Sequence, residues 1–166
     1  ISGYAWAKVV CTALFTFLAT SIGIMLFIVF LSMKFPLTDI DSAFESISSI
    51  EPYGELLIGA QPIKYFICVA FSKSMFASVL ATLALTISSF VPNIFVTLVS
   101  PIICYYTIVN AWTFGWLSPN RIFVTTSVNM GGPLPSILYA SAYAICCITI
   151  LGFLFTMRIK RRVEHG

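Results

Sequence analysis

The sequence predicts an all-α protein, a polytopic membrane helix bundle with four transmembrane helices. Apolar residues make up 59% of the 166 residues and charged residues only 9%, and the mean hydropathy is +0.99. A soluble monomer with this composition would expose an unusually large apolar surface. The charges are also widely spaced: none lies between Lys8 and Lys34, between Lys73 and Arg121, or between Arg121 and Arg158. Each gap can hold the roughly 20 apolar residues that a helix needs to cross a bilayer.

Charge gaps and helix breakers divide the chain, which we predict to be a single transmembrane domain over 1–166, into helices and connections. The helices are expected at about 7–33, 62–91, 94–117 and 134–157. A cytoplasmic tail at 158–166 follows the last of them. Because the chain opens at the foot of a hydrophobic segment, we expect it to be the C-terminal part of a longer protein.

The connections between the predicted helices differ in composition. The first, an external loop at 34–61, holds five of the six acidic residues and has room for one or two short interfacial helices. Its prolines, Pro36 and Pro52, preclude one continuous helix. The second is a tight turn at 91–93. The third, an external segment at 118–133, combines Gly, Pro and Asn with a short apolar stretch that can dip into the membrane only where protein or water covers it.

Basic residues set the expected orientation. Four of them cluster in the tail at 158–166, directly after the last helix, which predicts a cytoplasmic C-terminus. Counting back across four helices also places Lys8 inside, so five basic residues lie inside. Three lie outside: Lys34, Lys64 and Arg121.

The second helix carries a row of small residues at four-residue spacing, which indicates close packing against a neighbouring helix. Ser74, Ser78 and Thr82 are its polar centre and our candidates for a substrate pathway or a subunit interface. Ordinary helix packing is the alternative. The full row is Ala70, Ser74, Ser78, Thr82 and Thr86, and the last helix carries a shorter one in Ser136, Ala140 and Ala144.

The third helix contains a proline followed by two tyrosines. Pro101 removes one helical hydrogen bond and is expected to kink the helix. Tyr105 and Tyr106 lie one turn later, so the kink and the two hydroxyl-bearing rings could shape a pathway or could simply pack.

Lys73 is a lone charge in the apolar stretch FICVAFSKSMFASVLATLAL. The uncharged residues that follow it nearly span a bilayer alone, which favours a position in the outer third of the bundle, within reach of water for its long side chain. We expect it to face the bundle interior or a subunit interface, with Glu51 or Glu55 as a candidate partner.

The sequence contains no recognisable catalytic constellation, so the chain is not expected to be an enzyme by itself. It lacks a phosphate-binding GxxxxGK[ST] loop and an HExxH motif, and its one histidine, His165, lies in the charged tail. No carboxylate falls inside a predicted helix, which disfavours a proton-coupled carrier. The five cysteines lie in apolar segments and are expected to be small buried hydrophobes. We therefore predict no catalytic, cofactor-binding or metal site, and no nucleic-acid partner.

The order of these features resembles the C-terminal half of bacterial ABC-2-type transporter permeases. The resemblance begins with GYAWAK before the first helix and continues with GAQPIKYFICVAFSKSMFASVLATLALTISSFV, where a proline opens a helix rich in small residues. It continues with the proline-bearing PNIFVTLVSPIICYYTIVNAW, the external LSPNRIF and the basic tail. It covers nearly the whole chain, and the four helices would correspond to helices three to six of such permeases.

The resemblance implies a multi-pass permease subunit in a bacterial cytoplasmic membrane that forms an export pathway with a second permease chain, identical or related. Separate ATPase subunits would bind the ATP and magnesium and drive the transport. Two alternatives remain: a structural or sensory membrane subunit acting through the acidic external loop, and an ion-coupled secondary carrier.

Overall fold

All regular secondary structure in the described part of the chain is helical. The computed structural model describes residues 2–34, 53–58, 61–91, 93–111, 122–123 and 130–165, with the backbone alone at 58, 108–111 and 165. These residues contain no strand, which confirms the all-α prediction. Their helices are α1 (Ser2–Ser32), α2 (Gly54–Ile58), α3 (Pro62–Phe90), α4 (Ile94–Ala111) and α5 (Pro133–His165).

Three helices, α1, α3 and α5, are long and apolar enough to cross a membrane. They contain 31, 29 and 33 residues, against the roughly 20 that a crossing requires. This agrees with a helical membrane bundle. The described part of α4 contains 18 residues, and the rest of its predicted span, 112–117, lies outside the described residues. The fourth crossing and the cytoplasmic C-terminus therefore stay predictions.

The boundary between α3 and α4 follows from local chemistry. α3 begins with Pro62. Proline lacks a backbone N–H, but an N–H in the first turn of a helix has no partner within the helix, so nothing is lost there. The helix ends at Phe90, after which Val91 is extended and donates its N–H to the Ile87 carbonyl at 3.0 Å. Asn93 then caps α4, since its Oδ1 accepts a hydrogen bond from the Phe95 N–H at 2.9 Å.

Two glycines shape the entry to α5. Gly131 and Gly132 have φ angles of 89° and 138°, which only glycine adopts without strain. The Ser136 hydroxyl holds this turn, because it donates to the Gly132 carbonyl at 2.8 Å and accepts from the Met130 N–H at 3.3 Å. The glycine pair and Ser136 thus set where α5 starts.

The last helix runs to His165 instead of ending near Met157, so the basic tail is helical. Lys160 pairs with Glu164 one turn later at 3.7 Å. The guanidinium carbon of Arg158 lies 5.2 Å from the centre of the Phe90 ring, a cation–π contact that ties this end of α5 to the end of α3.

α3 is the central helix, because it contacts α1, α2, α4 and α5. It runs antiparallel to α1: the Phe17 and Phe71 rings are 5.4 Å apart, and further down the pair Ser78 contacts Ala13. The first turns of α1 and the last turns of α5 share a cluster built on Ala5, Val9 and Phe155, with Leu85 of α3 beside it. The two ends of the described chain therefore lie at the same end of the bundle.

Many large apolar side chains of the described residues are exposed. Ile94, Phe95 and Leu98 of α4 are exposed, as are many large side chains of α1 and α5. Cys11 and Cys146 are exposed as well, and the other three cysteines are only half-buried, so the prediction that all five are buried is wrong. In a bilayer such faces contact lipid, which is as apolar as the side chains themselves.

Candidate functional site

Three candidate residues on α3 are buried in the bundle. Ser74, Ser78 and Thr82 are 0%, 2% and 0% exposed, and Ala70 and Thr86 complete a buried row along the helix. The prediction that this face packs against neighbouring helices is confirmed. Small side chains allow the backbones to approach closely, which is how membrane helices associate.

All four hydroxyl groups of the buried row bond within α3 itself. Each donates to the carbonyl one turn earlier: Ser74 to Ala70 at 2.7 Å, Ser78 to Ser74 at 3.0 Å, Thr82 to Ser78 at 2.8 Å, and Thr86 to Thr82 at 2.8 Å. Such bonds let a polar side chain lie in an apolar interior without an unpaired hydroxyl. Because they are internal to the helix, they do not depend on which neighbour packs against it.

Two hydroxyls of this row also bond to other helices. Ser78 Oγ donates to the Ala13 carbonyl of α1 at 3.0 Å, and Thr86 Oγ1 lies 3.3 Å from the Leu151 carbonyl of α5. Hydrogen bonds between membrane helices contribute on average about 0.6 kcal/mol each. These two hydrogen bonds therefore add little to the stability of the bundle, and their main effect is to orient α1 and α5 on α3.

Lys73 is half-buried between Ser72 and Ser74, both of which are buried. Its ammonium group has no ion-pair or hydrogen-bond partner among the described residues. Glu55 of α2 is exposed and not paired with it, and Glu51 lies outside the described residues. Lys73 lies one turn before Phe76, whose ring contacts Tyr105 of α4, so it borders the α3–α4 side of the bundle. Its place in the outer third stays a prediction.

Pro101 lies inside α4, half-buried, and its ring removes the N–H that would bond to the Thr97 carbonyl. The Ser100 hydroxyl donates to that carbonyl at 3.3 Å. The preceding side chain therefore replaces the lost bond, which explains how α4 continues through the proline.

The two tyrosines of α4 point in different directions. The Tyr105 ring packs edge-on against Phe76 at 5.3 Å, which brings it to α3. Tyr106 is 62% exposed and contacts the Tyr105 ring at 5.6 Å. The structure thus brings Tyr105 to the central helix, whereas the Tyr106 side chain is mostly exposed.

Phe123, in the segment before α5, joins the aromatic contacts around Phe76. Its ring is 5.0 Å from Phe76 and 5.8 Å from Tyr143 of α5, and it is 2% exposed. At 1.5 Å per residue, Tyr143 lies about 15 Å along α5 from Pro133. The Phe123 side chain therefore lies between α3 and α5 and is covered by protein.

The contact between Tyr53 and Ser72 was not predicted from the sequence. Tyr53 precedes α2, is 3% exposed, and its hydroxyl forms a hydrogen bond with Ser72 Oγ of α3 at 2.9 Å. Burial raises the pKa of the Tyr53 phenol above its ordinary value near 10, while the Ser72 hydrogen bond opposes this shift. The phenol and its hydrogen bond are therefore retained up to pH 10, and the stabilisation declines only as the pH rises through the higher folded-state pKa.

Replacing Tyr53 with Phe should loosen α2 from α3 while leaving the ring in place. Loss of one buried hydrogen bond costs about 0.5–1.5 kcal/mol. That cost corresponds to about two- to tenfold faster hydrogen exchange for the amides of α2, measured by mass spectrometry. Tyr65→Phe is the matched control, because the Tyr65 hydroxyl has no partner among the described residues. Equal exchange in both variants would contradict the assigned role of the Tyr53 hydroxyl.

The contact between Trp6 and Gly152 was also missed. A Cβ atom at Gly152 would lie 2.8 Å from Trp6 Cζ3 and 3.2 Å from Val9 Cγ1, so α1 and α5 meet where only glycine fits. Trp6 therefore packs on another helix instead of serving only as an interfacial anchor. The spacing held a signal, because Gly152 continues the row of Ser136, Ala140 and Ala144 after one larger residue, Ile148.

The interactions of the described residues are mainly packing contacts between helices and hydrogen bonds within or between them. No three His, Cys, Asp or Glu side chains among them are grouped to hold a metal ion. Comparisons with protein families, curated proteins and solved structures found no match to this chain.

Proposed function

We propose that this chain is part of the membrane-spanning subunit of an ATP-binding-cassette exporter of the ABC-2 type. It would form the substrate pathway with a second permease subunit in a bacterial cytoplasmic membrane, and separate ATPase subunits, which bind ATP and magnesium, would drive it. The observation that carries the proposal is the character of α3. A proline opens this helix and small residues cover one side of it, as the resemblance leads one to expect of its counterpart. The helix also lies at the centre of the bundle.

The bonding of α3 suits a helix that changes its neighbours during transport. Ser74 and Thr82 bond within α3, so their hydroxyls stay satisfied when an adjacent helix shifts. A change of access would then disturb the Ser78–Ala13 and Thr86–Leu151 contacts, whose contributions are small. In this proposal α3 passes movement from the ATPase end of the bundle to α1 and α5.

Purification of the full-length protein from its own membranes tests the proposal. We expect an ATPase with a P-loop to co-purify, and we expect ATP hydrolysis in proteoliposomes to require both proteins. An ATPase variant with its P-loop lysine replaced is the control, since it should bind the permease but not hydrolyse ATP.

Three outcomes would contradict the proposal. A stable, active complex without any ATPase would exclude an ATP-driven exporter. Transport that follows an imposed ion gradient without ATP would indicate a secondary carrier. Loss of function on deletion of residues 38–58, with ATPase coupling irrelevant, would indicate a sensory or structural subunit acting through the external loop.

A further inference from the structure

A cavity of about 310 Å³ lies where α2 and the starts of α3 and α5 meet. It is amphipathic. Lys64 and Gln61 line it and are both exposed, while Ile67, Leu134 and Ile137 contribute apolar wall, with Cys68 also in the lining. The cavity therefore offers a cation and an amide together with a hydrocarbon surface.

The polar groups of the cavity are available to a ligand. Neither the Lys64 ammonium nor the Gln61 carboxamide has a hydrogen-bond or ion-pair partner among the described residues. Glu55, the described carboxylate of α2, is exposed and does not line the cavity. The lining therefore presents a positive charge, and no carboxylate among the lining residues compensates it.

We propose that this cavity binds an anionic phospholipid of the adjacent membrane leaflet. The lipid phosphate would accept hydrogen bonds from Lys64 and Gln61, and part of an acyl chain would lie against Ile67, Leu134 and Ile137. A free phosphate ion matches the cation but gains nothing from the apolar wall. A neutral lipid matches the wall but not the charge. The proposal holds whether or not the chain belongs to an exporter.

Cys68 makes the proposal testable, because a lipid in the cavity would shield its thiol. The full-length protein, with Cys68 as its single cysteine, would be placed in nanodiscs of phosphatidylcholine containing increasing fractions of phosphatidylglycerol. The rate of Cys68 alkylation by the uncharged reagent N-ethylmaleimide would then be measured. We expect this rate to fall with the phosphatidylglycerol fraction in a saturable manner, and to be unaffected by millimolar inorganic phosphate in phosphatidylcholine alone.

Substitutions of Lys64 separate a specific site from a general effect of lipid charge. Lys64→Gln removes one charge-assisted hydrogen bond and should raise the phosphatidylglycerol fraction that gives half protection about tenfold. Lys64→Arg should retain protection. Lys34→Gln is the matched control, since it removes an exposed cation that does not line the cavity. Protection by phosphatidylcholine or by inorganic phosphate as strong as that by phosphatidylglycerol, or undiminished protection in Lys64→Gln, would overturn the proposal.

Discussion

Replacing Gly152 with alanine is expected to destabilise the bundle by about 1–3 kcal/mol, the range typical of an overpacked interior. The added methyl group would meet the Trp6 ring at 2.8 Å and Val9 Cγ1 at 3.2 Å, so α1 and α5 must separate or the indole must move. Unfolding by a titration with sodium dodecyl sulfate in mixed micelles, followed by circular dichroism, measures the change.

A matched glycine provides the control for this substitution. Gly23 lies in α1 with nothing within 4 Å of the position its Cβ would occupy. Gly23→Ala should therefore be neutral, or stabilise its helix by up to about 1 kcal/mol. A double-mutant cycle with Trp6→Ala adds a second check, because the cost of Gly152→Ala should fall once the indole is absent. A cost that does not change in the Trp6→Ala background would contradict the assigned contact.

Replacing Ser78 with leucine should separate α1 from α3. Ser78 is 2% exposed, and its hydroxyl lies 3.0 Å from the Ala13 and Ser74 carbonyls. Leucine has no room at this contact and removes both hydrogen bonds, so we expect a loss of about 1–3 kcal/mol in the same unfolding experiment.

Two further variants divide this effect into packing and hydrogen bonding. Ser78→Ala keeps the close contact and removes only the hydroxyl, so its cost should be about 0.6 kcal/mol. Thr149→Leu makes a comparable change on an exposed face of α5, where the Thr149 hydroxyl bonds within its own helix, and should have little effect. Similar losses for Ser78→Leu and Thr149→Leu would show that the α3 row is not the packed face.

The close packing of α3 could be predicted from spacing because small residues at every fourth position have one common use in lipid. Ser74, Ser78 and Thr82 were identified in this way, and all three are buried. Lys73 also stood out in the sequence, as a lone charge, but its place beside α4 depends on how the helices pack, which its own helix does not specify. Pro101 stood out in the sequence as a helix breaker. The compensating hydrogen bond from the Ser100 hydroxyl to the Thr97 carbonyl is seen only in the folded helix.

Contacts between segments distant in sequence could not be predicted. Tyr53 precedes α2 and Ser72 lies in α3, and neither residue type indicates the other. The approach of Trp6 to Gly152 and the stacking of Arg158 on Phe90 are of the same kind. An indole near a helix end is equally compatible with a headgroup anchor and with a packing residue.

The sequence by itself determined that the protein is an α-helical membrane protein. Its long uncharged stretches suit a bilayer, and there the backbone N–H and C=O groups of each stretch must bond within the stretch, as they do in a helix. The sequence also determined which face of α3 packs. Only the tertiary structure decided which helices meet that face, that Tyr105 packs on Phe76 of α3, and that α2 and the starts of α3 and α5 line a cavity with one free cation in its described lining. The physical reason is that lipid is as apolar as the protein interior, so hydrophobicity does not distinguish a packed face from a lipid-facing one.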